Sequence, residues 1–130
     1  MKPKFLIVIA DYYKHISTEL LKSAVGHVDK KSKFNVAKVP GVFEIPVVIS
    51  KNIKKYDGFI ALGCVIKGET PHFDFISQAT THAIMQLSID HKKPIGNGII
   101  TALNKDQAEA RAEKKGIEAA KAVLSVLKVF

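Results

Sequence analysis

Phe59-Ile60-Ala61-Leu62-Gly63-Cys64-Val65-Ile66-Lys67-Gly68-Glu69-Thr70-Pro71-His72-Phe73-Asp74-Phe75 is the stretch on which the architecture turns. Phe59 to Leu62 is an unbroken apolar run, the pattern of a strand covered on both faces. Beyond the loop, Ile76, Ala79, Ala83, Ile84 and Leu87 recur at helical spacing. A strand therefore passes through a loop into a helix. Thr70 is placed to cap that helix, and Pro71 suits its first position, where no N–H is needed. The unpaired N–H groups and the positive helix end make an anion site. Gly68 lets the backbone come close to a ligand. His72 stands in the first turn, beside whatever anion binds. Alone, this loop reads equally well as a capped turn with a surface histidine; what else the fold brings to the same edge decides between the two.

Working outward, Phe5-Leu6-Ile7-Val8-Ile9-Ala10 is a second apolar run of the same kind, and Asp11-Tyr12-Tyr13-Lys14 ends it. A helix is predicted from about Ile16, with Leu20, Leu21, Ala24, Val25 and Val28 on one face. Phe34 to Val39 reads as a strand, and Pro40-Gly41 as a turn. A helix is then predicted from Val42 to Lys55, with Phe43, Val47, Val48 and Ile53 inward and Pro46 confined to its first turn. The helix after the central loop runs to about His91. Pro94 opens a last strand through Thr101, whose Gly96 and Gly98 point to close packing. From Asn104 an Ala-rich helical pattern runs to Lys128, with Gly116 as a candidate break.

The order β-α-β-α-β-α-β-α specifies an α/β fold: an open parallel four-stranded sheet with helices on both faces. In such sheets ligands bind beyond the carboxyl ends of the strands. That rule gathers Asp11-Tyr12-Tyr13, Pro40-Gly41-Val42-Phe43-Glu44, the central loop and Thr101-Ala102-Leu103 onto one edge. A planar ring could stack there on Tyr12 or Tyr13, while Glu44 accepts hydrogen bonds from hydroxyls or amines. Each of these residues has an ordinary structural reading; their convergence on one edge favours a site.

Composition narrows the classes. The 130 residues suit one domain, 1–130. The single cysteine, Cys64, excludes a disulfide framework and argues against a cysteine-based metal site. No apolar run reaches transmembrane length, and Met1-Lys2-Pro3 leads into a strand without signal-peptide anatomy, so no membrane partner and a cytoplasmic location are expected. The net charge of +8 is compatible with nucleic acid or anionic substrates. However, the pairs Lys30-Lys31, Lys54-Lys55, Lys92-Lys93 and Lys114-Lys115 are dispersed along the chain, and no aromatic-interleaved basic stripe occurs. No nucleic-acid partner is expected.

Three segments carry a family resemblance: Pro40-Gly41-Val42-Phe43-Glu44-Ile45-Pro46, then Gly63 through Phe73, then Gly96-Asn97-Gly98-Ile99-Ile100-Thr101 leading to Gln107-Ala108-Glu109-Ala110-Arg111. With these the chain resembles the lumazine synthases of riboflavin biosynthesis over nearly its whole length. The resemblance implies a flavodoxin-like, three-layer α/β/α fold and a cofactor-free, metal-free transferase. Its two small-molecule substrates would be 5-amino-6-(D-ribitylamino)uracil and 3,4-dihydroxy-2-butanone 4-phosphate. It also implies a homopentamer with sites at subunit interfaces. Carried over by position, His72 is the general acid/base. Tyr12, Val42, Phe43, Glu44, Cys64, Val65, Ile66 and Asn97 serve the ribitylaminouracil. Gly68, Glu69, Thr70 and Arg111 serve the butanone phosphate. Asn97 stands where many members have an aromatic, Tyr12 where phenylalanine is usual, and Lys67 where arginine is usual. The few residues before the first strand, and a short segment between Arg111 and Gly116, read as an isolated pentamer rather than a shell.

Overall fold

The computed structural model describes residues 2–28, 30 and 32–129. Of the doublet Lys30-Lys31, Lys31 lies outside the described residues, as do Met1, Asp29 and Phe130. The elements are β1 (Lys4–Ala10), α1 (Lys14–His27), β2 (Lys33–Val39), α2 (Ile45–Lys51), β3 (Gly58–Ile66), α3 (His72–His91), β4 (Ile95–Ala102) and α4 (Lys105–Leu127). A single 3-10 turn, Val42–Glu44, leads into α2. The strands form one parallel sheet in the order β2-β1-β3-β4. The α/β architecture expected from the order of elements is thus the one observed.

Period-two alternation in the strands builds two cores. Phe5, Ile7, Ile9, Ile60, Leu62 and Cys64 point to the face covered by α1 and α4. Leu6, Val8, Ala10, Phe59 and Ala61 point to the face covered by the 3-10 turn, α2 and α3. Successive side chains of a strand lie on opposite faces, so an apolar run with no polar gap must be covered twice. The crossovers share one hand. β1 to β2 steps outward through α1; β2 to β3 steps back across β1 through α2, and so α2 lies on the other face.

Several local expectations are corrected by packing. The segment after Pro40-Gly41 is a 3-10 turn followed by a helix that stops at Lys51, short of Lys55. Its inward residues are Val42, Ile45, Ile49 and Ile53, while Phe43 and Val47 are exposed. The 3-10 turn rotates Phe43 away from the sheet; the expected phase assumed an α-helix from the start. Pro46 does sit in the first turn. In α3 the fully buried pair is Thr80 and Ile84; Ile76, Ala83 and Leu87 are half-buried and Ala79 is exposed. α4 is continuous through Gly116. A Cβ there would strike Ser23 Oγ and the Leu20 carbonyl, so Gly116 marks the closest approach of α4 to α1 rather than a break. Gly96, likewise, has no room for a Cβ beneath the Ala119 carbonyl. The start of α4 is secured by Asn104, whose side chain accepts from Gln107 N–H at 2.9 Å, while Gln107 Oε1 accepts from Leu103 N–H at 3.0 Å.

Gly116→Ala should therefore destabilise the fold by about 1–3 kcal/mol through overpacking. Gly26→Ala, at a helical glycine with open space around it, should stabilise by up to about 0.5–1 kcal/mol. Denaturant midpoints of the two variants would check this pair, and a neutral Gly116→Ala would contradict the packing assignment.

Candidate active site

The reversal of the chain between β1 and β3 opens a cleft at their carboxyl ends. It has a volume of about 590 Å³ and is lined by Tyr12, Tyr13, Gly41, Val42, Phe43, Glu44, Cys64, Val65, Ile66, His72 and Ile76. Four separate segments meet there. The turn after β1 supplies the tyrosines, the 3-10 turn supplies Val42 to Glu44, the end of β3 supplies Cys64 to Ile66, and α3 supplies His72 and Ile76. His72 and Ile76 are one helical turn apart and so share a face.

Gly63 sets the depth of this cleft. A Cβ there would come within 2.8 Å of Val42 Cγ2 and 3.2 Å of Ala10 Cβ. The absence of a side chain lets Val42 seat against the sheet, and Phe43 and Glu44 follow it to the rim. The Glu44 carboxylate lies over Gly41, with Oε1 3.0 Å from where a Gly41 Cβ would stand. Phe43 and Tyr12 are mostly exposed, at 63% and 73% of their surface, so both rings have faces free for stacking. The Tyr12 and Tyr13 rings meet edge to face, with centroids 4.9 Å apart at 83°. Tyr13 packs against the α1–α4 core, and its phenol is pushed above its usual range, chiefly by burial and then by Cys64 and Tyr12 nearby. Sequence reasoning left Tyr12 and Tyr13 as alternatives and passed over Ile76 as a lining residue. Ile76 was legible only as one more apolar position of a helix.

The anion loop beside the cleft, between the lining residues Ile66 and His72, differs in detail from expectation. β3 continues to Ile66, so Cys64, Val65 and Ile66 are strand residues and the loop is only Lys67 to Pro71. The α-helix begins at His72, with Pro71 just outside it. Thr70 Oγ1 accepts a long bond, 3.4 Å, from His72 N–H. Lys67 N–H donates to the Ala102 carbonyl at 2.9 Å, which ties the loop to the end of β4. The N–H groups of Gly68, Glu69 and Thr70 make no hydrogen bond among the described residues and are exposed. A Cβ on Gly68 would meet nothing within 4 Å. The chain itself thus makes no demand for glycine at this position.

Five expected residues do not line the cleft: Gly68, Glu69 and Thr70 stand in the exposed loop just before His72, and Asn97 and Arg111 lie farther off. Asn97 is exposed in β4, paired in register with Ala61, three residues back from the Cys64–Ile100 pair. That is about 10 Å short of Cys64, and about 16 Å short of the strand ends at Ile66 and Ala102, at the rise of a parallel strand. Its side chain accepts from Ile99 N–H at 3.0 Å. Arg111 is exposed on α4, donates from Nη1 to the Gln107 carbonyl at 3.0 Å, and lines a separate hollow with Ala110, Lys114, Lys115 and Glu118. Neither residue lines the cleft of its own chain.

A parallel α/β sheet with a ligand-sized cleft at its switch point, an aromatic rim, one carboxylate and an imidazole at a helix N-terminus defines a small-molecule enzyme of the open-sheet class. Residues 2–130 match the family model described as 6,7-dimethyl-8-ribityllumazine synthase. The chain is similar to 6,7-dimethyl-8-ribityllumazine synthases of Bartonella tribocorum (42% identical, covering 97% of this chain and 89% of the relative) and Agrobacterium fabrum (39%, covering 98% and 95%). That of Bartonella henselae is 44% identical over 94% of this chain and 84% of the relative. The chain belongs to the 6,7-dimethyl-8-ribityllumazine synthase family.

Cys64 faces this cleft as a neutral thiol. Burial pushes its pKa up to about 11 from an ordinary 9.0, because the charged thiolate is disfavoured away from water. The folded protein thus holds this proton where the unfolded chain releases it. Its stabilising contribution is complete below about pH 9 and disappears as pH rises through about 11. Denaturation midpoints should fall across that window, and the fall should be shallower in Cys64→Ala. At neutral pH alkylation of Cys64 in the folded protein should be far slower than in the denatured chain; equal rates would contradict the burial argument.

Proposed function

We propose that this chain condenses 5-amino-6-(D-ribitylamino)uracil with 3,4-dihydroxy-2-butanone 4-phosphate to 6,7-dimethyl-8-ribityllumazine, phosphate and water. The observation that carries this reading is the cleft, which brings together eight of the expected residues from four separate segments: Tyr12, Val42, Phe43, Glu44, Cys64, Val65, Ile66 and His72. In this reading the pyrimidine lies against Tyr12 and takes backbone hydrogen bonds from Cys64, Val65 and Ile66. The ribityl chain runs past Val42 and Phe43, with its hydroxyls donating to Glu44. The phosphate sits on the free N–H groups of Gly68, Glu69 and Thr70 at the positive end of α3. The amide of Glu69, not its carboxylate, faces the phosphate, because two anions side by side repel.

The chemistry needs one proton shuttle between two substrates. The 5-amino group attacks the ketone and water leaves to form an imine; a proton leaves C3 as phosphate is expelled from C4; the resulting enol takes up a proton to become a ketone; the ribitylamino nitrogen adds to that ketone and closes the ring with loss of a second water. His72, beside both the pyrimidine pocket and the phosphate cradle, can take and return protons at these steps. Holding the two substrates together supplies much of the remaining acceleration.

Asn97 and Arg111 complete the proposal. Both are exposed and away from their own cleft. They would serve a neighbouring subunit's site in a homopentamer, with Arg111 gripping the phosphate bidentately. The protein would act as one domain over residues 1–130 in the cytoplasm. Among the described residues no helix is long and apolar enough to cross a membrane.

Purified protein should accelerate appearance of the fluorescent lumazine over an enzyme-free control, which is needed because the two substrates also condense slowly alone. His72→Ala should lower kcat by about 10–10²-fold, at the low end for acid–base groups because positioning remains. Arg111→Ala should abolish the acceleration at low butanone phosphate. Gly68→Ala should keep the midpoint of unfolding yet raise KM for the phosphate substrate. A folded protein that binds a substrate analogue without turnover would instead make the cleft a binding module.

A further inference from the structure

Two of the lysine pairs that look dispersed along the chain, Lys54-Lys55 and Lys92-Lys93, converge in space with Lys4 and Lys33, while Lys114 and Lys115 lie apart beside Arg111. All four strands of a parallel sheet start at the same edge, opposite the cleft. Lys4 and Lys33 are register partners there. Asp57 N–H donates to the Lys4 carbonyl at 2.8 Å and Phe59 N–H to the Pro94 carbonyl at 3.0 Å. These bonds bring the loops before β3 and β4 to the same line. Lys93 Nζ crosses between them to the Ile53 carbonyl at 2.6 Å. Lys4, Lys33, Lys54, Lys55 and Lys92 are exposed along this edge, and Lys128 follows the end of α4. Two carboxylates stand beside them, Asp57, which accepts from Lys4 N–H at 2.7 Å, and Asp90, which accepts from Gln86 Nε2 at 2.8 Å; the lysines outnumber them, and Lys4 Nζ lies 4.9 Å from the centre of the Tyr56 ring. Among the described residues the one salt bridge, Lys105–Glu109, lies at the other end of the sheet.

Against the sequence expectation of no nucleic-acid partner, which rested on the lysine pairs being dispersed along the chain, we propose that this edge binds the sugar-phosphate backbone of nucleic acid. Lysines at the starts of β1 and β2 and in the turns before β3 and β4 span four strands, about 14 Å at the usual spacing, and duplex DNA presents about eight phosphate charges over that length. Lysine ammonium groups on flexible stems suit such a charge array without reading sequence. The other explanation, lysines complementing helix C-termini, accounts for Lys128, Lys92 and the pair Lys54-Lys55 in the turn that follows α2, but not for Lys4 and Lys33, which lie at strand starts, nor for the convergence of all of them on one edge. Exposed apolar side chains at this edge, Ile89, Val126 and Val129, are gathered in one hollow beside Lys92 and Lys93 and do not extend along the row past Lys4 and Lys33; an anionic lipid surface is therefore an outcome that the test separates. A second copy of the same edge would be repelled. The inference is independent of the reaction proposed above.

The test titrates the whole protein onto a short fluorescein-labelled duplex by anisotropy across a salt series. Log affinity should fall linearly with log salt, with a slope of about −4 for four to five phosphate contacts. Lys54→Glu/Lys55→Glu/Lys92→Glu should weaken binding at least about tenfold and flatten the slope, while Lys22→Glu/Lys38→Glu/Lys105→Glu, with the same change in net charge, should stay within about twofold. Both triple variants should keep the unfolding midpoint and the lumazine turnover. Equal weakening by the two would overturn the localised face in favour of net charge alone. Absence of binding at low salt would overturn it outright. Tighter binding to phosphatidylserine vesicles than to the duplex would reassign the edge to anionic lipid.

Discussion

The handedness of the crossovers is the constraint from which the rest follows. A strand, a helix and a parallel strand close only one way. When the chain moves from β1 outward to β2 and then back across to β3, the helices must change faces. The loops leaving β1 and β3 consequently diverge, and the space between them is not filled by backbone. The cleft is that space. Its walls are the segments that leave the sheet on either side of the reversal, which is why residues from distant parts of the sequence share it.

Chemically the cleft is graded. One end is aromatic and apolar, with Tyr12, Phe43 and Val42; a carboxylate stands at the rim; the other end is the unpaired N-terminus of a long helix carrying an imidazole. Cys64 packs in the α1–α4 core, and burial holds its thiol in the protonated form. A planar, hydroxylated molecule and an anion can therefore lie side by side with a proton donor and acceptor between them. The arrangement favours reactions limited by bringing two partners together and moving protons. Both requirements are met by groups held on the sheet and on a helix start rather than on long loops.

Particular residues show where sequence reasoning holds. The apolar runs Phe5 to Ala10 and Phe59 to Leu62 were legible as doubly covered strands because alternate side chains must each find a core. Asn104 was legible as the start of the last helix because its side chain competes for a free N–H. The phase of the segment after Gly41 was not, since a 3-10 turn changes the angular step and nothing in Val42-Phe43-Glu44 forces one. Gly116 was misread as a break because a glycine inside a helical pattern has two meanings, and only the neighbouring α1 selects close approach. His72, Glu44 and the loop around Gly68 were legible as one edge, through the rule for open sheets. Ile76 was not, because its exposure to the cleft depends on how α3 lies on the sheet.

The chain's own pattern of apolar runs, helical periodicities and turn residues was sufficient for the order of elements, the parallel sheet and the edge that carries the site. Those properties follow from local preferences and from burial, both written in consecutive residues. Two results required the folded sheet. One is that Asn97 and Arg111 lie outside their own cleft. The other is that the separated lysines form one basic edge. Parallel pairing sets which strand starts and ends become neighbours, and that relation joins residues far apart in sequence that no local window contains.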